Sequence, residues 1–378
     1  MKPSRGKLPL PIITVVICAF AIVALLYTQR ITSPLSQLNS QVTGMERMIW
    51  TTQKPTTSLI FDPEECSIVN GKWVFNSSVK PLYTDRSCPY LDRQVSCAKN
   101  GRPDSAYRHW EWQLDDCELP RFNPKTALKK LRGKRLMFVG DSLQRGQWQS
   151  FVCLVEHIIP EDKKSMHRGR SHSVFKAKEY NTTIEFYWAP FLVESNSDLH
   201  IIGDPRQRIL RVDSVSKHAK HWLGVDILVF NTYVWWMSGL RIKSLTDGVH
   251  LQMGEEGYEE LDAPVAYRSA DWNNKDGIKC YNETKPVMKR GHWGTGSDKR
   301  IMNVVDSIVE KMKVPVTVIN ITQMSEHRVD AHSSVYTETQ GKLLTEEQKA
   351  DPLRYADCIH WCLPGVPDTW NQAFLAYL

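Results

Sequence analysis

A serine that attacks an acyl group needs a base to take its proton, and that base needs a partner to fix its tautomer. Two short motifs offer such a set. Gly140-Asp141-Ser142-Leu143 stands where an apolar run, Lys134 to Val139 (KRLMFV), gives way to a helical stretch reaching His157. A serine at such a junction is exposed in the crevice where α/β sheets bind ligands. Backbone N–H groups at the helix start can stabilise an oxyanion. Alone the triplet is ambiguous, because Asp-Ser also serves as a helix N-cap. Near the other end stands Asp357-Cys358-Ile359-His360-Trp361-Cys362. The spacing allows one turn of chain to bring carboxylate and imidazole to the same side. Asp357 then accepts from His360 Nδ1–H, and Nε2 is left to take the Ser142 proton. The rival Asp330-Ala331-His332 is too closely spaced for that geometry, and His218 and His221 lack a suitably placed carboxylate. The bland alternative is a surface Asp-x-x-His in a loop.

These motifs lie far apart and need a scaffold to meet. Lys134–Val139, Thr182–Val193 and Val225–Trp236 read as strands. Ser297–Lys313 reads as a helix, with Ile301, Val304, Val305, Ile308, Val309 and Met312 on one stripe. Val314–Ile321 (VPVTVINI) reads as a strand after it, and Pro367–Tyr377 as a closing helix with Trp370, Ala373, Phe374 and Tyr377 on one side. The alternation predicts an α/β fold, a parallel sheet with helices on both faces. Residues 66 to 124 hold four Cys, many aromatic residues and few apolar runs. They read as a cross-linked, loop-rich cap without an independent core.

The chain has 378 residues, with 48 basic and 42 acidic side chains for a net charge of +6. No Lys/Arg block resembles a nucleic-acid arm, so no nucleic-acid partner is implied. Leu8 to Tyr27 carries no charge over 20 residues, long enough to span a bilayer, with Lys2, Arg5 and Lys7 before it. The positive-inside rule then predicts a cytosolic tail (1–7), a signal anchor (8–27), a flexible stem (28–62) rich in Ser, Thr, Gln and Pro, and a lumenal domain (63–378). That domain divides into the Cys-rich segment 63–130 and an α/β core, 131–378. A cleaved signal peptide is the alternative. Cys18 lies in the span, and the other eight cysteines (Cys66, Cys88, Cys97, Cys117, Cys153, Cys280, Cys358 and Cys362) follow it. Their even number in an oxidising space points to four disulfides, in any of 105 pairings. A zinc site at Cys358-x-x-x-Cys362 lacks a second ligand pair, so no metal is expected. Asn76, Asn181, Asn282 and Asn320 begin glycosylation sequons.

An early Gly-Asp-Ser-Leu with a late Asp-x-x-His resembles the SGNH/GDSL hydrolase superfamily. The blocks Cys66-Ser-Ile-Val-Asn-Gly-Lys-Trp-Val-Phe75, Gly140-Asp-Ser-Leu-Gln-Arg-Gly-Gln-Trp-Gln-Ser150, Val229-Phe-Asn-Thr-Tyr-Val-Trp-Trp236 and Asp357-Cys-Ile-His-Trp-Cys-Leu-Pro-Gly-Val-Pro-Asp-Thr-Trp-Asn371 resemble the plant trichome birefringence-like family over residues 63 to 378. Gly146 departs from it, since many members carry Asn there.

The resemblance implies a Golgi-membrane, single-pass type II O-acetyltransferase with a lumenal catalytic domain. Its acceptor would be a cell-wall polysaccharide, xylan by subgroup. Ser142 would carry the acetyl, His360 would act as base and Asp357 would orient it. The Ser142 N–H and Asn231 would form the oxyanion hole. Arg145, Trp235, Trp236 and Trp361 are candidates to touch glycan, since indole faces stack on sugar rings. The same resemblance implies the pairs Cys66–Cys117, Cys88–Cys153, Cys97–Cys362 and Cys280–Cys358. The basic segment Lys163–Arg170 reads first as a solvated loop and second as a lining for an acidic acceptor. No Walker or Rossmann glycine cradle is present, so no bound cofactor is expected, though an acetyl donor or a donor-supplying membrane protein is required. An acetyl esterase of the same fold, or a non-catalytic wall-glycan binding module, are the alternatives. Intact Ser142, His360 and Asp357 speak against the last.

Overall fold

The computed structural model describes residues 59–199, 207–211, 214–237, 243–246, 249–252, 280–294, 297–339 and 341–378. The expected tail, anchor and nearly all of the stem lie outside them. Among the described residues no helix is long and apolar enough to cross a membrane.

The chain enters through a hairpin of β1 (Gly71–Phe75) and β2 (Trp110–Leu114), in which Trp73 faces Trp112. Helix α1 (Pro124–Lys130) starts where Asn123 caps the Thr126 N–H and Pro124 presets the first turn. Strand β3 (Arg135–Gly140) runs into α2 (Ser142–Glu156). The strands β4 (Lys164–Arg168), β5 (His172–Ala177), β6 (Thr182–Trp188) and β7 (Ile227–Asn231) complete the main sheet, in the order β7-β3-β6-β5-β4. Then come α3 (Lys299–Val309), β8 (His332–Ser334), β9 (Asp357–Trp361) and α4 (Val366–Tyr377).

β3 is parallel to β7 and β6, whereas β6, β5 and β4 are antiparallel in turn. The sheet is therefore mixed, not wholly parallel. The short links 169–171 and 178–181 can only make hairpins, because a parallel return needs a crossover of a dozen residues or more. β3 lies between two neighbours and is apolar on both faces. Leu136 and Phe138 pack with Phe151, Val155 and Phe374 of α2 and α4. Met137 and Val139 pack on the other face with Tyr187, Ala189 and Trp222. The expected helices cover the first face. The second is covered, among the described residues, by the segment around Trp222.

Further expectations need correction. Residues 314–321 form no strand, and Val314, Val316 and Val318 are exposed. A β-prone run needs a neighbour for its N–H and C=O groups, and no described strand bonds to the outer edge of β7. α3 forms as its periodicity predicts, yet Val304, Val305 and Ile308 on its stripe are exposed. Periodicity fixes a helix but not what covers it. The expected strand Val225–Trp236 is interrupted after Asn231 by a short helix, Tyr233–Met237.

The cap is no separate layer. Its buried Trp73, Tyr107, Trp112 and Leu119 share one core with Met324, Trp361, Val366 and Trp370 from the far end of the chain. Arg102 donates to the carbonyls of Asp330 and His332, and Arg328 pairs with Asp330 at 2.9 Å under the Trp73 ring. Four disulfides cross-link this body: Cys66–Cys117, Cys88–Cys153, Cys97–Cys362 and Cys280–Cys358. Of the sequon asparagines, Asn181 and Asn282 are exposed, while Asn76 donates to Glu111 and Asn320 is half-buried.

Candidate active site

Ser142 is the first residue of α2, two residues past the C-terminal end of β3. Gly140 is required there, because a Cβ would lie 1.9 Å from the Asn231 carbonyl oxygen. Asp141 caps the helix by accepting the Leu143 N–H at 2.9 Å. The Ser142 N–H, at the helix start, has no intrahelical carbonyl to bond.

His360 reaches Ser142 from β9. Its Nε2 is 2.7 Å from Ser142 Oγ, and its Nδ1 is 2.7 Å from Asp357 Oδ2. The motif is not the helical turn its spacing suggests. β9 bulges against β8: His332 pairs with Trp361 and Ser334 with Asp357, so three residues oppose one. The bulge lets Asp357 Oδ1 accept the N–H groups of Ile359 and His360, folding the carboxylate back onto the imidazole. Burial alone would raise the Asp357 carboxyl, but the His360 charge and these hydrogen bonds outweigh it and hold it well below the usual carboxylate range. The two side chains are 15% and 16% exposed, open enough for a substrate and dry enough to strengthen the pair.

His332 lies behind this strand. Its ring stacks on Trp361 with centroids 3.9 Å apart, and its Nδ1–H donates to the His360 carbonyl. Burial lowers its pKa to about 4, so it stays a neutral prop. Cys358 and Cys362, on either side of His360, enter different disulfides and tether β9 to two other segments.

The other sequence candidates divide. Asn231 ends β7 level with Gly140 and lines a cavity of about 170 Å³ together with Leu143 and Trp361. Trp235 is a core residue, 8% exposed, edge-on to Trp188 and Phe191 and covered by Arg208. Trp236 is half-buried and packs on Phe191, with its Nε1 donating to Thr232. Gly146 leaves open space where a Cβ would stand. Arg145 donates to Gln94 Oε1 at 3.0 Å, and Gln94 Nε2 lies 3.1 Å from His360 Nδ1. Gln94 is absent from every motif. Its only sequence signal is its place three residues before Cys97.

Asp141 makes a test of the site's electrostatics. Burial pushes its carboxyl up to about 7, against the pull of the Leu143 and Gln144 N–H groups, and its Oδ2 has no partner among the described residues. In the unfolded chain the group ionises near pH ~4. Between about 4 and 7 the folded state holds a proton the unfolded state has lost, so stability falls as pH rises through that window. Asp141→Asn keeps a capping oxygen without the charge. Its unfolding temperature should rise relative to the unchanged protein as pH goes from about 4 to 7, then level off, for a gain of about 1–3 kcal/mol. A pH-independent difference in calorimetry would reject buried-charge destabilisation.

Residues 119–271 and 263–377 match the GDSL/SGNH-like acyl-esterase family found in Pmr5 and Cas1p, and residues 64–118 match the Pmr5 N-terminal domain. The chain is 54% identical to Protein trichome birefringence-like 3 of Arabidopsis thaliana, over 100% of this chain and 99% of that one. It is 46% identical to Probable xylan O-acetyltransferase 8 of Oryza sativa subsp. japonica, over 100% and 99%. It is 45% identical to Xylan O-acetyltransferase 6 of the same rice, over 83% of this chain and 62% of that one.

Proposed function

Because the chain belongs to the trichome birefringence-like family of GDSL/SGNH-like acyl-esterase proteins, we propose that it is an O-acetyltransferase that carries an acetyl group on Ser142 and delivers it to a hydroxyl of xylan. The observation that carries this reading is the relay Asp357–His360–Ser142, with 2.7 Å at each link. Ser142 Oγ attacks the donor's acetyl carbonyl while His360 Nε2 takes its proton. The leaving group collects that proton, and acetyl-Ser142 remains. A sugar hydroxyl then attacks the ester, gives its proton to Nε2, and Ser142 Oγ recovers a proton as the bond to acetyl breaks. The Ser142 N–H and the Asn231 side chain stabilise the oxyanion in each half. No bound cofactor is needed. The donor, or a membrane protein that supplies it, comes from outside this chain.

Water in place of the sugar would make the same residues an esterase. The names of the rice relatives favour transfer. The same reading includes a Golgi membrane anchored by residues 8–27, with the domain in the lumen. Four disulfides suit an oxidising compartment, and Asn181 and Asn282 are accessible for glycosylation.

The full chain should be incubated with an acetyl donor and oligomers of xylan, mannan and pectin, and the products read by NMR. An acetyl ester on a xylosyl hydroxyl is the expected product. Free acetate without any esterified oligomer would overturn transfer.

A further inference from the structure

A second cavity, of about 320 Å³, is lined in part by α2 and includes none of the three relay residues. Arg145, Arg168, Arg170, Asp92, Ser197 and Asp198 line it. The charges there are unevenly matched. Asp92 is shared between two guanidinium groups, with Arg168 at 2.7 Å and Arg145 at 3.5 Å. Asp198 is paired from outside the cavity with Lys217 at 2.9 Å, and His218 Nε2 lies 3.4 Å from it. Arg170 is exposed and makes no hydrogen bond or ion pair among the described residues. Three guanidinium groups therefore face one carboxylate, Asp92, that is not paired from outside the cavity. Among the described residues the buried Ser197 hydroxyl has no partner, and neither has Oδ1 of Asp198. Buried groups of this kind lose free energy unless something bonds to them. The cavity thus presents a forked cation for an oxyanion, a spare donor, and a spare acceptor suited to a hydroxyl.

The cavity is also coupled to the chemistry. Arg145 is one of its walls and lies on the same face of α2 as Ser142. Through Gln94 it is one side chain away from the His360 ring.

We propose that this cavity is a subsite for an anionic oxygen group, a carboxylate or a phosphate, of the molecule whose acetyl chemistry occurs at Ser142. The proposal rests on the acetyltransferase reading. The anion is carried either by a uronosyl group on the acceptor or by a phosphorylated acetyl donor. Lys164, which the sequence groups with these arginines, is not part of the subsite: it is buried in a pair with Glu156.

Arg170→Glu in the full chain tests the proposal, with Arg168→Gln as a second variant. In one arm, kcat/KM is compared for uronosyl-bearing and neutral xylo-oligomers with an aryl acetate donor. In the other, a phosphorylated acetyl donor is compared with the aryl acetate on the neutral oligomer. At least a tenfold fall in one ratio is expected, and the arm in which it occurs identifies the source. Ratios unchanged in both arms and both variants would overturn the subsite, and they are insensitive to partial misfolding. Should no glycan be acetylated even by the unchanged protein, the function reading fails on its own. Calorimetric titration with the uronosyl oligomer and with inorganic phosphate then decides the subsite: at least tenfold weaker binding in Arg170→Glu supports it, and equal or absent binding overturns it.

Discussion

Ser142→Ala is expected to lower acetyl transfer by at least about 10³-fold, because the proton relay then has no oxygen to activate. The acceptor should still bind, since the alanine removes one half-buried atom and leaves both flanking cavities intact. Folding should be nearly unaffected, because Asp141 and not Ser142 caps the helix. Mass analysis of the unchanged protein given donor without acceptor should find one acetyl group on the peptide containing Ser142, and none in the variant. Activity within tenfold of the original would eliminate the covalent route.

Asp357→Asn should cost about 10⁴-fold in kcat with little change in KM, the size expected when an imidazole is held in the wrong tautomer. Oδ2 of Asp357 accepts the Nδ1 proton of His360. An amide nitrogen there would donate, so the ring would keep its proton on Nε2, facing a serine that needs a lone pair. An amide oxygen could still take the N–H groups of Ile359 and His360, so the bulge should survive. A variant with its KM raised in proportion to its lost kcat would point instead to a displaced β9.

Ser142, His360 and Asp357 were legible because their chemistry needs particular residue types and a nucleophile at a strand-to-helix junction. β3, α2 and α4 were legible because a buried strand and two buried helices carry dense apolar patterns. What escaped depends on partners far along the chain. The mixed order of the sheet follows from two short links that look like ordinary loops. Val314, Val316 and Val318 alternate as a strand would, but alternation carries no information about a neighbour. The geometry of Asp357 and His360 comes from a bulge opposite His332–Ser334, which no spacing rule within residues 357–362 contains. Gln94 belongs to a short 3-10 helix held by Thr337 and by Leu363, contacts that local sequence does not encode. Trp235 illustrates the reverse error: a residue type suited to sugar stacking that the fold spends on its interior.

The bond between Cys97 and Cys362 spans 265 residues and crosses over partners that pair sooner. During synthesis at roughly 5–20 residues per second, Cys97 must wait tens of seconds as a free thiol. Cys66 and Cys88 are already present, Cys117, Cys153, Cys280 and Cys358 emerge meanwhile, and each is an available wrong partner. Any wrong pair that Cys97 forms in that interval must be exchanged before its bond to Cys362 can close. His360, whose Nε2 lies 2.7 Å from Ser142 Oγ, arrives in that same final stretch, so a polypeptide truncated before it cannot assemble the proposed relay.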